Sequence, residues 1–424
     1  MRKIAITILS ACAKAVIRKY QPKIIAVTGT VGKSSAKEAI FATLKNYLVV
    51  RASSGNYNTQ IGVPLSVLDL GVPGRSPLKW LRLAARAAKL LLKTDHTYPD
   101  VLILEMGADK PGDIEELVSI ASPNIAVITA ITPVHLQKYG SFEALQKEKA
   151  GLWKFLGKNG IAVGNIDDPI IVEEMQKIKI KKVSYGTASE ADVRAGEKTI
   201  YYGSGDEIEE RIKGTAFKFY SNGSVLPVHL SGVYGSAHIL SALAGAAVGL
   251  AMGLNSHEII EGLRSYKSLP GRMRLLPGVK HTLILDDTYN ASPAACLRSL
   301  EDLKDVPISE GNKYYAVLGD MLELGAESER FHREVGRRAA ELGIDVLLGV
   351  GELAAEIIRG AREAGMDEGS LFHFANAESA GKFVEDRIKQ GDVILVKGSR
   401  GRHMEIVVRE LMAEPERAEE LLVH

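Results

Sequence analysis

The feature that most constrains this chain is a buried strand that leads into a glycine-rich loop and then a helix. Residues 23–30 (KIIAVTGT) predict the strand and its turn, and residues 34–47 (SSAKEAIFATLKNY) predict the helix. Between them, residues 28–35 read TGTVGKSS. Glycines let backbone N–H groups close on phosphate oxygens, the helix N-terminus adds its positive end, lysine supplies a cation and serine a hydroxyl for Mg²⁺. The sequence therefore predicts a phosphate-binding loop, although Val27 stands where the common pattern has its first glycine.

Apolar strands alternate with helical segments along the first half of the chain. Residues 101–108 (VLILEMGA) and 124–131 (NIAVITAI) are largely apolar runs, which are typical of parallel strands covered on both faces. We therefore predict an α/β fold of the P-loop type, with a doubly wound, mostly parallel sheet. Residues 184–230 contain short alternating strands and many Gly, Ser and Asn residues, which predicts a small antiparallel β insertion.

A second α/β series follows residues 269–278, which are predicted to form a linker. Its strands end in Gly or Asp, and ligands of open α/β sheets bind at that carboxyl edge. We therefore predict a Rossmann-like C-terminal domain. The predicted boundaries are 1–22 for an N-terminal helical segment, 23–272 for the central ATP-binding domain and 273–424 for the C-terminal domain.

Two polar residues follow the second and third predicted strands. Glu105 ends the second, and His135 comes shortly after the third. Beside a phosphate loop, a carboxylate and an imidazole can both reach the metal ion of a bound nucleotide. Considered alone, each residue is more often an ordinary solvated or core residue than part of a site. Beside a phosphate loop, a role in the site becomes the preferred interpretation. Lys149 lies in a predicted helix, 142–156, and its spacing alone makes it one lysine of a solvated face.

Together these motifs resemble the Mur ligase family of ATP-dependent amide ligases. The resemblance runs from residue 24 to 410 and includes GNYNTQIGVP (55–64), EMGADKPGDI (105–114), TPVHLQKYGSFEALQKEKAGL (132–152), NIDD (165–168), PGR (270–272), DDTYNASP (286–293), LGDMLELG (318–325) and VKGSRGRHME (396–405). DDTYNASP, LGDMLELG and KGSR resemble most the branch that adds D-alanyl-D-alanine to a UDP-linked muramoyl tripeptide, the MurF type. This implies a ligase of peptidoglycan precursor synthesis that works through an acyl phosphate.

Other functions stay open beside this one. A Mur-type ligase could join an amino acid or peptide to a different carboxylated carrier. The chain could also be a nucleotide-binding subunit that needs a partner, or a simpler ATPase without a carboxylate acceptor.

The resemblance also implies roles for individual residues. The positions implied to contact ATP are Gly29, Thr30, Val31, Gly32, Lys33, Ser34, Ser35, Asn165, Arg272, Asp287, Tyr289 and Asn290. Ser34 and Glu105 would hold one Mg²⁺ and His135 a second. Lys149 aligns with a lysine that this family carbamylates with CO₂ to support the metal ions. The implied catalytic residues are Lys33, Glu105, His135 and Lys149, and those implied to face the substrates are Asn58, Thr59, Gln60, Lys397 and Arg400.

Two features depart from a standard family member. Twenty-seven residues precede Thr28, fewer than a domain that grips UDP would need, so a chain without that domain is expected. In the family motif G-x-H-N-x-x-N-A-L, this chain has Ala237, His238 and Ser241 in place of His, Asn and Asn. The replacements predict remodelled nucleotide or metal contacts.

Residues 76–93 predict a basic amphipathic helix. No acidic residue lies between Asp69 and Asp95, and cations recur at steps of three and four at Lys79, Arg82, Arg86, Lys89 and Lys93. A solvated basic stripe over a packed apolar face is the plainer interpretation. Contact with an anionic membrane or a diphosphate-bearing substrate is the functional one. The uncharged residues 4–13 would either join that contact or pack on the body.

Composition limits the partners and the compartment. The chain has 53 Lys and Arg against 52 Asp and Glu, so bulk charge gives no reason to expect a nucleic-acid partner. Cys12 and Cys296 are far apart and build no disulfide framework or zinc spacing, which fits a reducing compartment. Because ATP is a cytoplasmic supply, we expect a cytoplasmic monomer. Peripheral membrane contact through residues 76–93 stays open beside the plainer interpretation of that helix. Its partners would be small molecules: a nucleotide-sugar-peptide or other carboxylated acceptor, and an amine donor.

Overall fold

The computed structural model describes residues 2–55, 57–71, 74, 76–132 and 136–424. His135 lies outside them, so the expectation for it stays a prediction. The chain forms two compact units: the first comprises Met1–Glu197, Phe217–Val228 and Ile239–Tyr266, and the second Lys198–Ala216, His229–His238 and Lys267–His424. In the described part of the chain, no helix is both long enough and apolar enough to cross a membrane.

The first sheet carries the phosphate loop. Within the described residues its strands are β1 (Lys23–Thr28), β2 (Val50–Ala52), β3 (Val101–Glu105), β4 (Ile125–Ile128), β5 (Ile161–Asn165), β6 (Lys181–Gly186), β7 (Val193–Tyr202), β8 (Ile212–Ser221) and β9 (Ser224–Ser231). They pair in the order β2-β3-β1-β4-β5-β6-β7-β8-β9, and the neighbours from β2 to β7 are parallel. Val27 pairs with Glu105 and Thr28 with Ile128, so β1, β3 and β4 end at one edge. The predicted mostly parallel sheet is confirmed.

Helices separate these strands along the chain. They are α1 (Arg2–Tyr20), α2 (Lys33–Leu44), α3 (Gly62–Leu68), α4 (Pro77–Leu92), α5 (Asp113–Ile120), α6 (Leu136–Tyr139), α7 (Phe142–Ala150), α8 (Pro169–Lys177), α9 (Ile208–Arg211), α10 (Ser236–Ala251) and α11 (Ser256–Leu263). Side-chain caps fix where several of them begin, because a cap satisfies backbone N–H groups that the first turn leaves without helical partners. Ser141 accepts from the N–H of Ala144 at the start of α7, and Asp168 accepts from the N–H of Ile170 at the start of α8.

Helix α1 packs on the first unit through one face. Leu9, Ala13 and Val16 are buried in the core that also contains Leu83 and Leu90 of α4. Full burial of a Leu or Val side chain stabilises a fold by about 1.5–3 kcal/mol. The N-terminal residues therefore pack on the body, which is one of the two arrangements that the sequence left open.

Strands β8 and β9 form the antiparallel part of the first sheet. Asn222 and Gly223 connect them with φ values of 48° and 76°, which fit the left-handed turn that a two-residue hairpin favours. The predicted antiparallel insertion is therefore confirmed. However, β7 also lies in residues 184–230, and it pairs in parallel with β6 on one side while β8 is its neighbour on the other.

The second unit has its own sheet. Its strands within the described residues are β10 (Arg274–Gly278), β11 (Thr282–Asp287), β12 (Tyr314–Gly319), β13 (Val346–Val350), β14 (Leu371–Phe374) and β15 (Val393–Lys397). The order is β10-β11-β15-β12-β13-β14, with β10 antiparallel to β11 and the other pairs parallel. The prediction of a linker over 269–278 was wrong for its second half. Leu276 is buried opposite Ile284, so this segment gains more as an edge strand than as a solvated connection.

Helices cover both faces of the second sheet, as the alternation of its buried residues requires. They are α12 (Pro293–Lys304), α13 (Ser328–Glu341), α14 (Ala355–Glu363), α15 (Ala377–Arg387), α16 (Glu405–Leu411) and α17 (Ala418–Leu421). Leu283 and Leu285 of β11 face one core, and Ile284 faces another that includes Val384 and Val407. A parallel strand buried on both faces is apolar throughout. The α/β class is confirmed for both parts of the chain, whereas the boundary at 272/273 stays a prediction.

Candidate active site

The phosphate loop joins β1 to α2 and requires glycine at two positions. Gly29 and Gly32 have φ values of 145° and 80°, and a Cβ atom on Gly29 would lie 2.2 Å from Thr129 Oγ1. Helix α2 begins at Lys33, directly after the loop. The Lys33 ammonium donates to the carbonyls of Gly29 at 3.0 Å and Thr30 at 3.2 Å. The lysine therefore folds back over the loop, at the positive end of the helix dipole.

Thr129 supports this loop from the end of β4. Its hydroxyl donates to the Val31 carbonyl at 2.6 Å, and the neighbouring Ala130 carbonyl accepts from the Thr30 N–H at 2.8 Å. Sequence reasoning missed Thr129, because a threonine in an apolar strand is unremarkable. Its position at the carboxyl end of a strand beside the loop was the available signal.

Glu105 is the acidic residue of this edge and is 2% exposed. Its Oε1 accepts from Asn58 Nδ2 at 2.9 Å, whereas its buried Oε2 has no hydrogen-bond partner among the described residues. Burying a carboxylate oxygen without a partner costs free energy. The oxygen would be satisfied as a ligand of a hard divalent cation. The Glu105 carboxylate is therefore a suitable ligand for Mg²⁺.

Residues 58–60 lie against the end of β3. The Asn58 carbonyl accepts from the Gly107 N–H at 2.8 Å, the Thr59 hydroxyl accepts from the Gly62 N–H at 3.3 Å, and Gln60 donates to Glu116. These bonds hold the segment in one conformation. Its three side chains line the same cavity as the phosphate loop.

The segment before it is anchored by a buried lysine that sequence reasoning also missed. Lys37 of α2 is fully buried, and its ammonium donates to the Ser53 carbonyl and contacts Glu38 at 3.1 Å. The Ser53 hydroxyl accepts from the Glu105 N–H at 3.2 Å. Because lysine is almost never fully buried without partners, Lys37 ties α2 to the chain that leads to Asn58.

Lys149 lies on the last turn of α7 and is 3% exposed. Its ammonium donates to the Ala108 carbonyl at 2.8 Å. Burial, together with the charge of Lys33 and against the opposing effect of Asp109, lowers the pKa of Lys149 from 10.5 to about 7. At neutral pH a large fraction of this amine is therefore uncharged, which distinguishes it from an ordinary surface lysine.

These parts of the first unit enclose a cavity of about 340 Å³. Its lining includes predicted residues from three separate segments of the chain: Gly29, Thr30, Lys33, Asn58, Thr59, Gln60 and Lys149. The rest of the wall is formed by apolar residues and two carboxylates: Ile6, Ile61, Gly107, Ala108, Leu117, Leu145, Asp109 and Asp113. A cation, amide groups and a buried amine therefore converge on a space large enough for a small molecule.

Four other predicted residues of the first unit are not among those that line this cavity: Val31, Ser34, Ser35 and Asn165. Val31 belongs to the loop itself, and Ser34 and Ser35 are buried in the first turn of α2. Asn165 ends β5 and donates through Nδ2 to the Thr129 carbonyl at 3.3 Å. It therefore reaches the phosphate loop through Thr129, which contacts both.

The second unit brings its own predicted residues together. The Lys397 ammonium lies 2.5 Å from Asp287 Oδ2 and donates to the Asn290 carbonyl at 3.0 Å, and the Ser299 hydroxyl donates to the same Asp287 oxygen. These residues stand where β11 and β15 end. Lys397 is almost fully buried, so its ammonium is held in an internal ion pair.

Arg272 and Tyr289 form a second group in that unit. The Arg272 guanidinium lies 4.1 Å from the Tyr289 ring centroid, and the Arg272 carbonyl accepts from His238 Nε2 at 2.7 Å. Burial lowers the pKa of His238 to about 4, so the imidazole is neutral. Arg400 is in neither group and pairs with Glu405 at 3.0 Å.

Comparison with known proteins identifies the family. Residues 84–249 match the model of the Mur ligase middle domain, and residues 271–400 match that of the "Mur ligase, glutamate ligase domain". The UDP-N-acetylmuramoyl-tripeptide–D-alanyl-D-alanine ligase of Escherichia coli is 31% identical over 93% of this chain and 78% of that protein. The chain belongs to the Mur ligase family. The resemblance drawn from the motifs is therefore confirmed, and so is the enzyme class, an ATP-dependent, ADP-forming ligase.

Two further relatives support this assignment. The enzyme of the same name from Bacillus subtilis is 28% identical over 97% of this chain and 80% of that protein. The MurF ligase of Thermotoga maritima, solved in complex with ADP, matches with a TM-score of 0.78 and 29% identity over 98% of this chain and 84% of that one. The two sheets described above are thus those of a Mur ligase.

Two of the residues that depart from the family motif, His238 and Ser241, are buried in the structure. His238 turns its Nε2 to a backbone carbonyl, and Ser241 is buried in α10. A histidine held neutral and hydrogen-bonded in this way packs inside the second unit. The assignment of Arg400 and Lys397 to a substrate stays a prediction.

Proposed function

We propose that this Mur ligase adds D-alanyl-D-alanine to the terminal carboxylate of a UDP-muramoyl-tripeptide-like acceptor in peptidoglycan precursor synthesis. The observation that supports the proposal is the shared cavity of the first unit. There the phosphate loop with Lys33 and the segment of Asn58, Thr59 and Gln60 line one space. A ligase needs this combination because the phosphoryl donor and the acceptor carboxylate must meet within reacting distance. The names of the relatives supply the acceptor and donor.

In the proposed reaction, the acceptor carboxylate attacks the γ-phosphorus of ATP. The bond from that phosphorus to ADP breaks, so ADP leaves and an acyl phosphate forms. The amine of the dipeptide then attacks the acyl carbon and loses a proton, and phosphate leaves from the tetrahedral intermediate. Lys33 offsets negative charge on the phosphates during the first step, with the N-terminus of α2 behind it. Asn58 and its neighbours orient the acceptor.

Glu105 is the residue proposed to hold Mg²⁺, because its Oε2 is buried without a partner among the described residues. Ser34 and His135 complete the proposed donor sets for two ions. Bound magnesium supplies Lewis-acid polarisation of phosphoryl oxygens. Asn58 positions the Glu105 carboxylate through its hydrogen bond to Oε1.

Lys149 is proposed to carry a carbamate formed with CO₂. Only the neutral amine can attack CO₂, and the pKa of about 7 makes that form abundant at neutral pH. The product is an anion beside Lys33, which replaces a repulsive pair of cations by an attractive one. Incubation with ¹³C-bicarbonate should give a carbamate carbon signal that Lys149→Ala lacks and that Lys147→Ala, an exposed neighbour on the same helix, retains.

The test of the ligase is phosphate release from Mg-ATP with and without UDP-muramoyl-tripeptide and D-alanyl-D-alanine, together with the product mass. We expect release that requires both substrates and a product heavier by one dipeptide. Lys33→Met should abolish it, whereas Lys45→Met, exposed at the end of the same helix, should not.

The alternatives give different outcomes in the same assay. ATP binding without acceptor-dependent release would point to a different carboxylated carrier. Activity restored only by a second protein would indicate a subunit that needs a partner. Steady hydrolysis that ignores both substrates would identify a simpler ATPase and contradict the proposal.

We also propose that the enzyme works as a monomer in the cytoplasm, where ATP is supplied.

A further inference from the structure

Helix α4 divides its residues between a buried face and an outward face. Leu83, Ala87 and Leu90 point into the core of the first unit. Arg86 also turns inward, because its guanidinium lies 3.2 Å from Asp95 and 4.0 Å from Asp69. One of the five cations that the sequence placed in a single stripe thus fixes the helix to the body.

The outward face carries large apolar side chains beside cations. Leu78, Leu81 and Leu92 are 57%, 66% and 85% exposed. They follow at steps of three and eleven, so they share one side of a helix. The exposed cations are Lys79, Arg82, Lys89 and Lys93. A merely solvated basic stripe would keep its leucines packed, so these exposed leucines need another explanation.

Helix α1 carries a further exposed apolar side chain. Ile8 is 57% exposed, and Lys19 near the end of α1 donates to the carbonyls of Leu90 and Lys93 at the end of α4. The two helices are therefore fixed to each other. Four of the large apolar side chains that are exposed among the described residues lie on this pair: Ile8, Leu78, Leu81 and Leu92.

Charge indicates what the surface contacts. The two acidic residues that flank α4 in sequence, Asp69 and Asp95, are engaged by Arg51 and Arg86. Among the described residues, no carboxylate lies within ion-pair distance of the outward cations. A diphosphate would pair with the cations but would leave the leucines in water. An anionic bilayer takes leucines into its interface and pairs cations with its headgroups.

We propose that the outward face of α4, together with Ile8 of α1, docks on an anionic phospholipid bilayer. The face also lies close to the candidate active site. Ile6 lines the cavity, and Ile8 is two residues further along α1, about 3 Å of helical rise away. A docked enzyme thus holds its acceptor cavity within about one helix diameter, roughly 10 Å, of the lipid surface.

The test is flotation of the full chain with vesicles of phosphatidylcholine alone or with added phosphatidylglycerol, at low and high salt. We expect binding only to the anionic vesicles and weakening by salt. Lys79→Gln and Arg82→Gln should each lower the partition coefficient about fivefold. Leu81→Ser should also lower it, and Lys382→Gln and Val225→Ser, exposed elsewhere, are the matched controls.

Several results would overturn the proposal. These are no flotation at low salt, equal binding to neutral vesicles, or the same loss in the control variants. A dimer in solution that Leu81→Ser dissociates would assign the face to a second copy of the chain. Competition by free pyrophosphate with no effect of Leu81→Ser would assign it to a diphosphate. Phosphate release by each variant is measured separately, so failure of docking and failure of the proposed ligase reaction are distinguishable.

Discussion

Lys149→Met is expected to abolish ligase activity and to stabilise the first unit at neutral pH. Methionine is unbranched like lysine, one heavy atom shorter, and suits an apolar site. The folded-state pKa of Lys149, about 7, lies below its ordinary value of 10.5, so the unfolded chain binds more protons between these values. Stability therefore rises with pH through that window, and the cost of burying the amine is fully present below it.

The size of the effect follows from the two pKa values. The cost of burying the Lys149 amine is about 4 kcal/mol at pH 7 and about 2 kcal/mol at pH 9. Loss of the hydrogen bond to Ala108 removes about 1 kcal/mol at either pH. Lys149→Met should thus gain about 3 kcal/mol at pH 7 and about 1 kcal/mol at pH 9. The difference of about 2 kcal/mol between the two pH values is independent of the hydrogen bond.

The assay is urea unfolding followed by tryptophan fluorescence in CO₂-free buffer. Both tryptophans, Trp80 and Trp153, lie in the first unit, and Trp153 is buried with its Nε1 donating to the Ala126 carbonyl. Lys147→Met, on the exposed side of the same helix, should follow the wild type at every pH. Parallel stability curves for Lys149→Met and the wild type would refute the reasoning, because they would mean that the amine ionises normally.

Three further predictions concern the same cavity. Gly29→Ala should abolish ATP binding, measured by calorimetry, because the new Cβ would lie 2.2 Å from Thr129 Oγ1. The Gly157→Ala control has open space around the new Cβ and should bind ATP normally. Glu105→Gln should remove the magnesium dependence of ATP binding together with the activity. Retention of both would contradict the metal role. Glu115→Gln, at an exposed position, is the control. Lys37→Met should raise the KM for the acceptor severalfold more than the KM for ATP, because it releases the segment before residue 58; equal changes in both constants would indicate a general loss of structure.

The phosphate loop and its strand could be predicted from the sequence because local rules determine them. A buried apolar strand, two glycines with left-handed φ and a lysine at the helix start depend on neighbours within about ten residues. The same holds for Glu105, which simply ends an apolar run. The strand β10 was missed because its residues alternate only weakly, and a partner strand, β11, decides its conformation.

The supporting residues could not be predicted, because their roles depend on segments far apart in sequence. Thr129 contacts a carbonyl 98 positions earlier, and Lys37 reaches a carbonyl 16 positions later. Neither residue type suggests such a role by itself, since most lysines are solvated. Family resemblance drew attention to Lys149, but only its burial shows why its amine has unusual chemistry.

The sequence by itself determined the α/β class, the phosphate loop and the family, because strand burial, glycine conformation and motif order are properties of short segments. Tertiary structure decided which side chains share the cavity, how far the pKa of Lys149 falls, and which face of α4 is exposed. Those outcomes depend on desolvation and on distances between separate segments, and both exist only once the chain has folded.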